Sequence, residues 1–152
     1  MEDKIYIIDQ NGLAELNEKS FINEEQFQQL LQNHPDLLTG SQINPDNPRK
    51  WILISREVGI PNQENGSNIW SIDHLFIDQD GIPTLVEVKR GTDTRIRREV
   101  VGQMLDYAAN SVNYWSISEI KDLFTKTCND RGEETKIVLS SLLDDASQEE
   151  NF

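Results

Sequence analysis

The sequence is poor in cysteine, in positive charge and in long apolar runs. Its single cysteine, Cys128, excludes an intrachain disulfide and fits a reducing compartment. No stretch approaches the roughly 20 apolar residues of a membrane helix. The acidic start, MEDKIYIIDQ, is unlike a signal peptide. We therefore expect a cytoplasmic protein that does not associate with a membrane. A glycine-rich phosphate loop and a nucleophile motif are also missing, which disfavours an unrelated small-molecule enzyme.

Positive charge is scarce overall, but it is unevenly distributed. The 152 residues contain 14 Lys and Arg against 27 Asp and Glu, which gives a net charge of −13. This balance disfavours a general nucleic-acid coat protein, because phosphate binding needs a basic surface. Residues 86–100 are nevertheless locally basic, whereas the final LLDDASQEENF is strongly acidic.

Hydrophobic patterning predicts an α/β fold. The length fits one domain, which we expect over residues 1–143, followed at 144–152 by an acidic tail or the start of a linker. Apolar, β-branched runs predict strands over 4–9, 51–60, 69–77, 82–90 and 112–115. Helices are predicted over 24–34, 93–110 and 116–128, and residues 132–143 fit either helix or strand. The expected architecture is a central mixed sheet with an antiparallel meander, flanked by helices.

Charged residues interrupt two of these apolar strands. In TLVEVKR, residues 84–90, alternation directs Glu87 and Lys89 to one face. In SIDHLFI, residues 71–77, Asp73 lies among apolar residues, and a hairpin turn at 78–81 would bring the two strands together. Two carboxylates on one face can bind a divalent cation, and oxygen ligands suit Mg²⁺ or Mn²⁺. The alternative is an exposed cross-strand ion pair.

The helix that follows carries a polar residue near its predicted inward face. Its buried stripe is expected to contain Ile96, Val100, Met104 and Ala108, with Val101 and Leu105 beside them. Gln103 lies close to this stripe, with Tyr107 one turn further on, and a glutamine in this position needs a hydrogen-bond partner. Alternatively, Gln103 lies on the helix surface.

These residues together resemble a known family. Asp73, a spacer of thirteen residues, Glu87-Val88-Lys89 and a helix with Gln103 are similar to the PD-(D/E)XK motif of the restriction-endonuclease-like nuclease superfamily. The stretch IDHLFIDQDGIPTLVEVKR…VGQMLDYAAN also resembles bacterial proteins in which such a domain begins a longer chain. The resemblance covers roughly residues 20–130, with Ile72 in place of the family's proline. It implies a restriction-endonuclease-like core, metal-dependent hydrolysis of DNA phosphodiester bonds, and a further C-terminal module.

The resemblance also implies roles for individual residues. Asp73 and Glu87 would bind Mg²⁺ or Mn²⁺, with the carbonyl of Val88 as a further ligand. Lys89 would orient the attacking water or stabilise developing charge, and Gln103 would help to position these groups. The N-terminal helix would add a glutamate, either Glu24 or Glu25, and the apolar stripe favours Glu24.

The resemblance leaves several functional alternatives open. Arg95, Arg97 and Arg98 would contact DNA phosphates, or they form a solvated helix face. The competing function is a catalytically silent module of this fold that binds nucleic acid or a protein partner. DNA or RNA, endo- or exo-action, and monomer or homodimer all stay open. Asp78 and Asp80 are predicted to be turn residues, and Cys128 is predicted to be structural.

Overall fold

The chain combines α-helices with antiparallel β-sheets. The computed structural model describes residues 4–10, 12–17, 20–61, 67–91 and 96–143, except for the side chains at 9, 96 and 97. The strands are β1 Ile5–Asp9, β2 Gly12–Leu16, β3 Trp51–Pro61, β4 Asn68–Asp78 and β5 Pro83–Val86. The helices are α1 Glu24–Asn33, α2 Gly40–Ile43, α3 Val101–Tyr114, α4 Ile117–Arg131 and α5 Thr135–Leu142. A 3₁₀ turn, Pro35–Leu38, follows α1, and a π-helical turn, Ile96–Val100, precedes α3.

The sheets are antiparallel throughout the described part of the chain. β1 pairs with β2, and the larger sheet has the order β3-β4-β5. The predicted central mixed sheet is therefore replaced by two separate antiparallel sheets. The strand predicted over 112–115 is wrong, because residues 112–114 continue α3, whose end is closed by Trp115 N–H donating to the carbonyl of Ser111 at 3.0 Å. The segment 132–143, for which the sequence fitted either helix or strand, contains the helix α5.

Local signals place α1 as predicted. The Asn23 side chain accepts a hydrogen bond from Gln26 N–H at 2.9 Å, which satisfies one of the free amides at the helix start. The helix ends at Asn33, and Pro35 begins the 3₁₀ turn. Asn23 is thus the N-cap of α1, which begins where the sequence predicts. Asp93 and Thr94 are residue types that could cap the helix predicted over 93–110, and both lie outside the described residues.

The third strand of the meander is shorter than predicted. A strand was expected over 82–90, but β5 ends at Val86. The amide of Val88 donates to the side chain of Asp73, with 2.7 Å between N and Oδ2. A side chain that takes a backbone amide in this way competes with the β-ladder. The segment carrying Glu87 and Lys89 therefore leaves the sheet at Asp73.

The main hydrophobic core joins the larger sheet to the C-terminal helices. It contains Ile52, Ile54, Val58, Ile60, Ile72, Leu75, Tyr107, Phe124, Cys128 and Leu142. A smaller cluster contains Trp51, Leu53 and Phe76. Cys128 is buried in the main core, and burial raises the pKa of its thiol, which agrees with its predicted structural role. In the described part of the chain, no helix combines the length and apolar character that crossing a membrane requires.

The buried face of α3 differs from the predicted stripe. Tyr107 and Ser111 are buried, Met104 is half-buried against the main core, and the predicted neighbours Val101 and Leu105 are exposed. Ala108, placed in the buried stripe, is also exposed. The helix is rotated so that the large Tyr107 ring packs near Trp70 of β4, with ring centroids 6.1 Å apart. Ring size outweighed the aliphatic pattern, because an aromatic side chain buries more area.

Candidate functional site

The β4–β5 hairpin brings the two predicted carboxylates to one end of the sheet. His74 pairs with Val86, so Asp73 and Glu87 are the next residues along the two strands. The hairpin turn is closed by Gly81 N–H donating to the Asp78 carbonyl at 3.0 Å, and Gly81 has the positive φ of 75° that this turn needs. The bond from Val88 N–H to Asp73 then holds Asp73 beside the segment that starts at Glu87.

Lys89 forms an ion pair with Glu87. The distance between Lys89 Nζ and Glu87 Oε1 is 2.6 Å, and only 5% of the Glu87 side chain is exposed. This pair is more deeply buried than the exposed ion pair considered as the alternative. Removing a carboxylate from water costs free energy, and a single ion pair with one ammonium group offsets only part of that cost.

The electrostatics around Lys89 are dominated by carboxylates. Burial lowers the pKa of Lys89, but the hydrogen bond to Glu87 and the charges of Glu87, Asp73 and Glu24 together raise that pKa above its ordinary value. Lys89 is therefore cationic at neutral pH. Three carboxylates act on one ammonium group, and this excess of negative charge favours a further cation.

One oxygen of Glu87 lacks a partner. Among the described residues, three buried side-chain atoms have none: Arg56 Nε, His74 Nδ1 and Glu87 Oε2. Arg56 and His74 are register partners on β3 and β4, and Arg56 Nε is a donor while His74 Nδ1 is an acceptor, so a buried water between these neighbouring residues can satisfy both atoms. Glu87 Oε2 has no such complement in that part of the chain. It is an acceptor that needs a cation or a donor.

The donor set fits a hard divalent cation. Asp73 and Glu87 supply carboxylate oxygens, and the backbone beside them can supply a carbonyl. Mg²⁺ is typically held by one or two carboxylates, with water and substrate phosphate as its other ligands. No group of three or more His, Cys, Asp or Glu side chains in the described residues is arranged to hold a metal ion.

The structure separates the two candidate glutamates of α1. Glu24 Oε1 accepts the backbone N–H of Arg90 at 2.9 Å, next to Lys89. Glu25 instead pairs with Arg56, with 2.8 Å between Oε2 and the guanidinium. Glu24 is thus the glutamate of α1 that contacts the backbone next to Lys89, and its place in the site stays a prediction.

Gln103 has a hydrogen-bond partner among the described residues, but that partner lies on α3 itself. Its side-chain amide donates to the Tyr107 hydroxyl, so the predicted need for a partner and the predicted neighbour are confirmed. Both residues line a surface cavity of about 380 Å³ that also includes Trp70 and Arg98. No hydrogen bond within the described residues joins Gln103 to Asp73, Glu87 or Lys89, so a place for Gln103 in the site stays a prediction.

The three arginines proposed to contact nucleic acid lie only partly within the described residues. Arg98 is exposed on the π-helical turn. Arg95 and the side chain of Arg97 lie outside the described residues. Contacts of these arginines with phosphates therefore stay a prediction.

Sequence reasoning missed a polar network behind α1. His74 is fully buried, and its Nε2 lies 2.9 Å from the carbonyl oxygen of Gln28. Burial lowers the pKa of His74, which keeps the ring neutral. Arg56, its partner on β3, contacts α1 through Glu25, Gln28 and Gln32. The signal in the sequence was a polar residue on the inner face of each strand, but nothing local identified the helix as its partner.

Comparison with protein-family models, with curated proteins and with solved structures finds no match for this chain. Membership of the restriction-endonuclease-like superfamily is therefore a proposal. Its support is the motif residues and the way that β4, the Glu87–Lys89 segment and α1 bring their charged groups together.

Proposed function

We propose that this protein is a metal-dependent nuclease of the restriction-endonuclease-like PD-(D/E)XK type, which hydrolyses phosphodiester bonds of DNA. The observation that carries the proposal is the buried Oε2 atom of Glu87, which has no hydrogen-bond partner among the described residues. Glu87 lies beside Asp73 and Lys89. A structural carboxylate with 5% exposure is expected to have its oxygens satisfied, whereas a metal-binding carboxylate keeps one available. The single cysteine is compatible with a cytoplasmic location.

Asp73 and Glu87, with the carbonyl of Val88, would hold Mg²⁺ or Mn²⁺. The bound ion would supply a water of lowered pKa and stabilise charge on the phosphate. Lys89 remains protonated at neutral pH, so its ammonium group can orient the nucleophile or donate to a phosphate oxygen. Asp73 also accepts the backbone N–H of Val88, so this carboxylate would bind the metal and hold the backbone beside it in place.

The test is cleavage of labelled single- and double-stranded DNA, and of matched RNA, with Mg²⁺, Mn²⁺ or EDTA. Asp73→Ala and Lys89→Ala are compared with wild type and with Asp80→Asn. Asp80 is a matched acidic control, because it lies at the opposite end of the same hairpin and is exposed. We expect metal-dependent cleavage by wild type and Asp80→Asn, and its loss in the other two variants. Equal cleavage by all four proteins would overturn the proposal.

The second candidate is a module of this fold that binds a partner without turnover. It is favoured by the β1–β2 hairpin, which exposes large apolar side chains on both faces, including Ile5, Ile7, Ile8 and Leu13. Such a hairpin is marginally stable alone, and exposed apolar patches mark interaction sites. The net charge of −13 also disfavours tight binding of DNA by this chain alone. Metal binding that depends on Asp73, without cleavage of any substrate, would favour this candidate.

A further inference from the structure

Arg56 connects the larger sheet to one face of α1. Its guanidinium donates to Glu25 Oε2 at 2.8 Å, to Gln28 Oε1 at 2.7 Å and to Gln32 Oε1 at 3.3 Å. Acceptors at spacings of three and four residues lie on one helix face, so a single planar guanidinium can reach all three. Arg56 is well placed to fix both the rotation and the height of the helix.

His74 supports the same face of α1 from the neighbouring strand. It pairs with Arg56 in the β3–β4 register, is fully buried, and contacts the Gln28 carbonyl through Nε2 at 2.9 Å. A carbonyl can only accept, so Nε2 carries the proton. Gln28 therefore meets Arg56 through its side chain and His74 through its backbone.

The opposite side of the α1 start meets the candidate site. Glu24 Oε1 accepts the N–H of Arg90 at 2.9 Å, and the Arg90 guanidinium donates to the carbonyl of Ile22 at 3.3 Å. Adjacent glutamates thus face different partners: Glu25 faces Arg56, and Glu24 faces the segment that follows Lys89. A shift of the helix that broke the first contact would also displace the second.

We infer that Arg56 is a positioning residue, which holds α1 so that Glu24 meets the backbone of Arg90 beside Lys89. Its consequence for catalysis rests on the proposed function, but the positioning itself does not. Arg56 touches none of the proposed metal-binding groups in the described contacts, so it acts only through the helix. A lysine in its place would keep the charge but lose the planar group that reaches three acceptors.

The chain offers a matched control for Arg56. Arg49 has the same side-chain exposure, 21%, and also bonds two residues across the fold, Asp78 and Asp80. It contacts the β4–β5 turn, however, and no described hydrogen bond joins it to α1. Arg49→Met therefore removes a comparable set of hydrogen bonds without affecting the contacts between Arg56 and α1.

The experiment measures solvent exchange of the Arg90 amide by NMR, together with the melting temperature, in Arg56→Met, Arg56→Lys, Arg49→Met, Glu24→Met and the double variant Arg56→Met/Glu24→Met. We expect Arg56→Met to speed Arg90 exchange by about tenfold, because its acceptor Glu24 is no longer held in place. Arg56→Lys should be intermediate, and Arg49→Met should leave the exchange unchanged. Glu24→Met removes the acceptor altogether, so adding Arg56→Met to it should give no further increase, because both changes act on one bond.

An unchanged Arg90 exchange rate in Arg56→Met, with a faster rate in Glu24→Met, would overturn the inference. The inference would also be overturned if Arg49→Met speeded Arg90 exchange as much as Arg56→Met does, for a similar loss of melting temperature. The faster exchange would then reflect general destabilisation. Because the exchange measurement needs neither metal nor substrate, it succeeds or fails independently of the nuclease proposal. If wild type cleaves DNA, Arg56→Met should lower kcat by about tenfold with little change in KM, as expected for misplacement of a group that acts at the transition state.

Discussion

Two equally buried carboxylates near opposite ends of the β4–β5 hairpin differ in how their oxygens are satisfied. Asp78 and Glu87 both have 5% side-chain exposure, and both pair with a basic side chain. Asp78 Oδ1 accepts from Asp80 N–H at 3.0 Å and Ile82 N–H at 2.9 Å, and its Oδ2 accepts from Arg49 at 3.0 Å. Glu87 accepts from Lys89 with one oxygen, and its other oxygen has no partner in the described chain.

The comparison separates a structural carboxylate from a candidate ligand. Asp78 closes a turn with all its hydrogen bonds made within the protein, which confirms the prediction that Asp78 and Asp80 are turn residues. Glu87 has the same burial but keeps an oxygen available at the end of the sheet where Asp73 also lies. Burial alone would not distinguish the two residues, whereas the count of satisfied oxygens does.

The largest expected difference between the two carboxylates is in catalysis. Glu87→Gln keeps the shape of the side chain but removes the charge that would bind the metal. We expect metal-dependent cleavage of DNA to fall by at least about a thousandfold. Asp78→Asn, assayed as folded protein, should retain activity within about threefold of wild type, since Asp78 makes only structural contacts. A similar loss in both variants would remove the distinction.

The next effect concerns stabilisation by metal. Mn²⁺ at about 100 times its dissociation constant should stabilise wild type by about 2.7 kcal/mol. For a chain of this length that corresponds to a rise in melting temperature of roughly 5–10 °C. Differential scanning fluorimetry should show this rise in wild type and Asp80→Asn and none in Glu87→Gln. A full rise in Glu87→Gln would locate the metal elsewhere.

Without metal, we expect Asp78→Asn to be less stable than Glu87→Gln. Asp78→Asn replaces a charged acceptor of Arg49, so we expect the free energy of unfolding in urea to fall by roughly 1.5–3 kcal/mol. Glu87→Gln weakens the bond with Lys89 but also removes a buried, incompletely satisfied charge. These effects offset each other, and the change should be under about 1 kcal/mol. A larger loss in Glu87→Gln than in Asp78→Asn would make Glu87 a structural residue.

The smallest effect is the pH dependence that Lys89 contributes. Because the folded protein raises the pKa of Lys89, this contribution is fully present below the unfolded lysine pKa of about 10.4 and is lost as pH rises through the higher folded value. In EDTA, the stability difference between wild type and Lys89→Met should therefore shrink between about pH 9 and pH 12, by about 1 kcal/mol or less. A difference that stays constant over this range would contradict the raised pKa.

Elements with strong local signals could be predicted from the residues alone. Asn23 and Pro35 bound α1, Gly81 permits the hairpin turn, and the apolar runs of β3 and β4 identify these strands. Once the hairpin is known, the distance along the chain brings Asp73 opposite Glu87. These features depend on neighbouring residues and on backbone geometry, which a sequence contains directly.

The partners that these residues contact depend on how the elements pack together. β5 ends at Val86 because Asp73 takes the Val88 amide, and α3 turns Tyr107 inward although the aliphatic pattern favoured other residues. The choice between Glu24 and Glu25 depends on Arg90 and Arg56, which lie far away in the sequence. The physical reason is that a polar side chain bonds to whichever complementary group the packing brings within about 3 Å, and the spacing of residues along the chain does not contain that information.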